Sequence, residues 1–390
     1  MTISRHAASS IAAALLATVA VPAFAGGIER STQSLGILFE EGRVVELGFA
    51  HVNPSISGTD AAGYGTGDVS GSYTVPNLSF KQDFTRNISG ALIIDTPFGL
   101  DLAYPAFPGG SLLLGGTNAS VDTTAVTGVV RYKMDSGFGV HGGLRYQTAK
   151  AQVDLEGAAF PGISGYTSRF GSDPAIGWLA GVSWEKPEIA ARVSLTYSSS
   201  IKHKFDTVES GPFIDPDGPG PLPLLPLLNG ESTTEVKTPQ SVNLEFQTGV
   251  AADTLVFGSV RWVKWSEFKV DPLRFTAVTG EGLVDLDDTT TFTLGVGRKF
   301  NENWSGLASI MYETKSDKLV SPLAPYSGRK GITLGAVYTQ DNVKVTGGVS
   351  YIKLGDADTR PDIAPPSETG AAYMRDNEAV AFGLKVSYSF

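Results

Sequence analysis

The chain has 390 residues, with 30 Lys and Arg against 40 Asp and Glu, a net charge of −10, and no cysteine. Disulfides and thiolate metal sites are thereby excluded, and an acidic chain without a basic run argues against nucleic acid as a partner. Beyond residue 25 no stretch approaches the ~20 apolar residues of a spanning helix, so a membrane protein of this composition must cross with strands.

The chain opens on Arg5 and His6, a small apolar run from Ala7 to Val21, and Ala23-Phe24-Ala25. This is the pattern of a cleaved export signal over 1–25, with the mature chain starting at Gly26. Residues 26–42 are then a short N-terminal luminal segment, and 43–390 carry period-two alternation instead of helical periodicity. Strands are predicted near 43–52, 76–84, 88–96, 121–134, 137–149, 176–185, 189–202, 236–249, 254–265, 290–300, 304–313, 330–339, 343–352 and 378–390. Short turns alternate strictly with long connections at 53–75, 97–120, 150–175, 203–235, 266–289, 314–329 and 353–377. Turns at one end and loops at the other are the signature of an all-β transmembrane antiparallel barrel, here of about 14 strands, in a bacterial outer membrane. Outer-membrane lipid is then a partner of the apolar face.

Alternation also assigns the lumen. Val126, Val130 and Tyr132 face out, turning Thr127, Arg131 and Lys133 inward; Val140, Leu144 and Tyr146 do the same for His141, Arg145 and Gln147. Arg or Lys on the lipid face near mid-membrane would cost ~2–4 kcal/mol each. These luminal charges read either as mutual pairing or as a site for a ligand carboxylate at Arg131, Lys133 or Arg145.

Two loops stand out. The run Pro221 to Leu228 holds Leu222, Leu224, Leu225, Leu227 and Leu228, and six prolines between Pro212 and Pro226 forbid a helix that would bury them. An exposed apolar patch of this kind marks a binding surface. The preceding long loop, 150–175, supplies Leu155, Phe160, Ile163, Tyr166 and Phe170; the two either capture a hydrophobic small molecule or pack on each other. Pro97 and Gly99 interrupt a β-like run and mark a kink, bulge or strand end. No Gly-x-Ser-x-Gly elbow or P-loop appears, and His51, His141 and His203 lack metal spacing, so neither an enzyme nor a cofactor is expected.

Several segments resemble the outer-membrane long-chain fatty acid and aromatic-hydrocarbon transporters (FadL/TodX-like). They are His51-Val52-Asn53-Pro54-Ser55-Ile56-Ser57-Gly58, Val75-Pro76-Asn77-Leu78-Ser79-Phe80, Gly177-Trp178-Leu179-Ala180-Gly181, Leu195-Thr196-Tyr197-Ser198-Ser199, Lys264-Trp265-Ser266-Glu267-Phe268 and Asn303-Trp304. The resemblance implies a 14-stranded barrel that passes hydrophobic ligands, most of all long-chain fatty acids, after capture by the third and fourth outer loops. It implies a lateral opening at a kink of the third strand, here Pro97 and Gly99, and recognition of Phe390 by the barrel assembly machinery. The chain departs from the family in lacking the hatch of about forty residues and its N-P-A segment, and in carrying Ser198-Ser199 where a basic residue is usual. Seventeen residues can thread a lumen but hardly fill it. The alternatives are a general diffusion porin and a surface adhesin or receptor that uses the loops.

Overall fold

The alternating windows become a closed barrel in a computed structural model, which describes residues 28–214, 225–316, 318–360 and 370–390. The segment 1–25 assigned to export, and Leu222 and Leu224, lie outside the described residues. Fourteen antiparallel strands form the wall. In order they are β1 (Val44–Ser55), β2 (Tyr73–Asp83), β3 (Ile88–Asp95, then Gly99–Ala103), β4 (Asn118–Lys133), β5 (Phe138–Leu155), β6 (Tyr166–Lys186) and β7 (Ala191–Ser198, then Ile201–Ser210). There follow β8 (Gly230–Thr238, then Ser241–Ala251), β9 (Thr254–Val263), β10 (Thr289–Lys299), β11 (Trp304–Glu313), β12 (Arg329–Gln340), β13 (Val343–Leu354) and β14 (Glu378–Ser389). Each pairs with its sequence neighbour, and β14 pairs with both β13 and β1, so the sheet has no free edge. In a bilayer nothing but the chain itself can satisfy the backbone, and closure does so.

The usual rule of burial is inverted, as a lipid solvent requires. Leu47, Leu144, Ile176, Ile310 and Leu334 are exposed, while Thr127, Arg131, His141, Arg145, Gln147, Arg192, Arg261 and Thr346 are buried. The tilted pairs Trp178–Tyr197 and Trp304–Tyr338, with centroids 5.2 and 4.9 Å apart, stand at different heights of the wall, the second at the turn end and the first below the extended tops of β6 and β7, as interfacial girdles do. At the turn end, Asp253 and Asp341 take positive φ of 57° and 50°, in two-residue hairpins whose twist demands that conformation.

The loop end differs from the sequence reading. β5 runs on to Leu155, β6 begins at Tyr166, and the strands Ile201–Ser210 and Gly230–Thr238 extend from both sides into 203–235, which the sequence reads as loop. Alternation persists there, with Ile201, His203 and Phe205 buried and Lys202, Lys204 and Asp206 exposed. The outward face has turned polar, so these strands rise above the lipid band, and an apolar outward face is the wrong signal for them. The connection after β9 holds a helix, α1 (Leu273–Thr279). A small sheet of Gly58–Asp60, Ala357–Thr359 and Ala372–Met374 covers part of the mouth.

Asp60 anchors that cover. Its carboxylate accepts the N–H groups of Ala62, Tyr64, Leu112 and Leu113 and the hydroxyl of Ser111. Burial opposes its charge, but these donors together hold its pKa below the ordinary value. A depressed carboxylate stabilises the fold above its unfolded pKa of about 3.9 and loses that contribution as pH falls through the lower folded value. Amide exchange of residues 58–66 and 111–114 should therefore be slow at pH 7 and accelerate selectively below pH about 4. Asp60→Ala should bring the fast exchange to pH 7; slow exchange in the variant would refute the assignment.

Candidate ligand cavity and luminal segment

The N-terminal residues lie inside the barrel because the lumen wall is polar and charged, and their own polar groups complement it. Glu29 is fully buried; its carboxylate accepts both Nε (3.0 Å) and a terminal nitrogen of Arg261, which also donates to Asn243 at 2.6 Å. Ser31 donates to Asp95 (2.7 Å), Ser34 to Glu245 (2.6 Å), and Asn243 to the Thr32 carbonyl (3.1 Å). Lys344 reaches Glu40 at 3.2 Å, and Lys81 donates to the carbonyl of Glu40 at 2.6 Å. The Phe39 ring lies between the guanidinium groups of Arg131 (4.4 Å) and Arg192 (4.2 Å), each a favourable cation–π contact. Leu35, Ile37 and Leu38 pack on Ala91, Ile93, Val129 and Leu179. Short as it is, the segment crosses the mid-lumen; below it a vestibule of about 690 Å³ remains towards the turn end, lined by Phe39, Arg86, Arg131 and Glu185 among others.

The luminal cations singled out from sequence are inward, as alternation required, and are already engaged. Arg131 and Lys133 share Glu185 at 2.6 and 2.8 Å. Arg145 donates to Thr127 at 3.0 Å and to the Gln33 side chain. His141 is buried against the Thr196 hydroxyl at 2.9 Å. Among the described residues no cluster of His, Asp or Glu has the arrangement of a metal site. The acidic loop residues Asp285 and Asp287 are paired with Lys269 and Lys318.

Pro97 and Gly99 fall where β3 is interrupted. The Pro97 carbonyl accepts the Arg30 N–H at 2.9 Å, and Gly99 donates to the Ile28 carbonyl at 2.8 Å. The luminal segment thus takes up backbone groups that a neighbouring strand would otherwise satisfy. β2 pairs with β3 over Leu78–Asp83, whereas Gly99–Ala103 pairs with β4. A Cβ at 99 would stand 2.5 Å from Arg30 Nε, so a larger residue there would push the Arg30 side chain aside.

Above the luminal segment is a cavity of about 80 Å³. Its floor is Ile28 and Phe98; its walls are Ala149, Val153, Phe170, His203, Phe205 and Val236; its roof is Phe268, Leu286, Leu323 and Ala324. Phe170 and Phe205 meet edge to face at 5.9 Å, and His203 stacks on Phe205 at 5.6 Å. Lys150 is the lining cation; it stands at the rim, largely exposed, with Asp122 at 3.4 Å.

The loop residues fare differently. Phe160, Ile163 and Tyr166 are buried in the core below the mouth, with the Tyr166 ring 4.9 Å from Phe275 and its hydroxyl donating to Glu209 at 2.8 Å. They pack and present no open groove. Leu228 is buried as well, while Leu225 and Leu227 are exposed. Phe390 is exposed at the turn end, its N–H bonded to the Arg43 carbonyl at 2.9 Å. Of the cavity residues, sequence reasoning named Phe170 with its loop and missed Phe98, Phe205, Phe268 and Leu323 as lining residues. The available signal was the density of apolar residues, such as Trp265-Ser-Glu-Phe268 and Pro322-Leu323-Ala324, in loops that water alone would keep polar.

No curated protein matches the chain by sequence. Among solved structures, a Pseudomonas aeruginosa FadL homologue superposes with a TM-score of 0.69 at 15% identity, covering 91% of this chain and 92% of that one. The Pseudomonas putida toluene transporter TodX gives 0.63 at 12% identity over 94% and 97%, and the Ralstonia pickettii toluene transporter TbuX 0.61 at 14% over 90% of each. At such identities the likeness shows the fold. The family model described as "Outer membrane protein transport protein (OMPP1/FadL/TodX)" matches residues 2–390, and the chain belongs to that family, a 14-stranded barrel of the outer membrane that transports hydrophobic ligands.

Proposed function

We propose that this barrel passes compact, uncharged hydrophobic molecules of about monoaromatic size, entering at the loop end and resting in the apolar cavity. The observation that carries this reading is the cavity itself: four phenylalanines and aliphatic side chains line it, with the luminal cations Arg131, Lys133 and Arg145 occupied elsewhere. A buried carboxylate without a partner there would be penalised by desolvation. Ligands of this class are also what the toluene transporters among its structural neighbours are named for. Transport is passive, with capture at the exposed Leu225 and Leu227 beside the mouth and exit at the Pro97–Gly99 interruption or past a displaced luminal segment.

Long-chain fatty acids are the second reading, favoured by Lys150, whose exposed ammonium at the cavity rim has only a loose partner. Uptake of labelled toluene and labelled oleate by cells with and without the barrel separates the two. Lys150→Ala should leave toluene uptake within about fivefold, since exposed pairs contribute at most ~1 kcal/mol. If only oleate uptake depends on the barrel, and Lys150→Ala reduces it, the fatty-acid reading replaces the first.

A further inference from the structure

The wall is discontinuous at a second place, between β6 and β7. A backbone ladder joins Leu179–Lys186 to Ala191–Ser198, and another joins Thr167–Phe170 to Thr207–Ser210. The two ladders share one register, yet no ladder joins the intervening residues 171–178 and 199–206. Both strands reverse their facing inside this interval. On β6, Phe170 is buried facing the lumen and Asp173 meets the luminal His203; on β7, Thr196 and Ile201 are both buried despite their odd spacing. The Ser199 N–H still donates to the Trp178 carbonyl at 2.9 Å, but above that contact an extra residue in each strand sets the peptide groups out of step, so that the common register is lost. Pro174, which has no N–H to offer, lies within the interval.

Side chains close what the backbone leaves open. The Asp173 carboxylate accepts from His203 Nδ1 at 3.1 Å and from the Lys204 N–H at 3.2 Å. The far ring nitrogen of His203 stands 3.2 Å from the Gln147 amide nitrogen. Ser199 Oγ accepts the Trp178 N–H at 2.9 Å. Gly177 leaves a space that Ile201 fills, a Cβ there being 2.5 Å from its Cγ1. On the inner side of this seam lie Phe170, His203 and Phe205 of the apolar cavity; on the outer side Ile176 and Trp178 are exposed.

We infer that the lower end of this seam, beside Ile176 and Trp178 at the edge of the lipid band, is a second lateral portal between the apolar cavity and the outer leaflet, taking the same hydrophobic ligands, with His203, Asp173 and Ser199 as positioning residues that hold it closed between passages. A ladder-bonded wall would need several backbone bonds broken together for a ligand to pass. Here the side chains swing aside and re-form their contacts without unzipping a strand pair.

The inference rests on the transport reading, and the test separates the two. The chain has no cysteine, and the position of a Cβ at 177 is 3.1 Å from Ser199 Oγ, a geometry suited to a disulfide. Gly177→Cys with Ser199→Cys, in an Ile201→Ala background that makes room for the new Cβ, should when oxidised lower uptake of labelled toluene about tenfold relative to the same reduced variant by removing the open population. Reduction of the same sample should restore it. Ser183→Cys with Ser194→Cys, opposite each other in the continuous ladder, should show no redox dependence. Equal uptake by oxidised and reduced Gly177→Cys/Ser199→Cys would overturn the second portal while transport stands. A wild-type barrel that raises no uptake would overturn the transport reading and the portal with it.

Discussion

Glu29→Ala should open the lumen. Glu29 is fully buried and holds the Arg261 guanidinium, whose remaining partners are Asn243 and Ser241. Removing one member of a buried pair leaves the other charged and uncompensated, a loss of about 3–5 kcal/mol. The barrel ladder does not involve Glu29, so the loss falls on docking of the luminal segment. A released segment connects the mouth with the 690 Å³ vestibule, and planar-bilayer conductance should rise from near zero to porin-like openings. Replacing both partners, Glu29→Ala with Arg261→Met, should bring conductance back down, because an apolar substitute for a buried pair is often neutral or better. Equal conductance in wild type and Glu29→Ala would mean that Phe39 and the other anchors hold the segment without this pair.

Phe205→Asp should abolish transport without unfolding the barrel. Phe205 faces the cavity between Phe170 and His203, on the portion of β7 above the lipid band. A carboxylate there must be desolvated whenever an apolar ligand occupies the cavity, at several kcal/mol, and each 1.4 kcal/mol is a factor of ten in occupancy. Uptake should fall at least about a hundredfold, while Phe205→Leu, which keeps the surface apolar, should stay within about threefold. Heat-modifiable gel mobility of both variants checks that the barrel has formed. Full uptake by folded Phe205→Asp would move the ligand path away from the cavity.

The strands were legible in the sequence because a bilayer imposes one simple pattern. Val380, Phe382, Leu384 and Val386 alternate with small and polar residues for that reason, and the structure pairs this strand on both sides. The same pattern located Arg131 and Arg145 in the lumen. It had nothing to say about which partner each charge meets, since Glu185 lies 54 residues from Arg131 and Glu29 lies 232 from Arg261. The cavity was illegible for a related reason. Phe98, Phe170, Phe205, Phe268 and Leu323 come from five separate segments and converge only when the barrel closes and its loops fold inward. Leucines in the proline-rich loop drew notice as a contiguous run, whereas Phe160, Ile163 and Tyr166 were apolar because they are core. Length misled as well: residues 28–42 obstruct the mid-lumen because charge anchors and the Phe39 wedge act together, though a segment this short could not fill the space by volume.

Simultaneous measurement of toluene uptake and ion conductance, on the purified barrel in lipid vesicles, tests the central claim most directly. A hydrophobic conduit with an occupied lumen predicts labelled toluene entering barrel-containing vesicles well above the barrel-free rate, sensitive to Phe205→Asp, with conductance near background. Open-pore conductance together with toluene entry no faster than in empty vesicles would contradict it and describe a general diffusion porin.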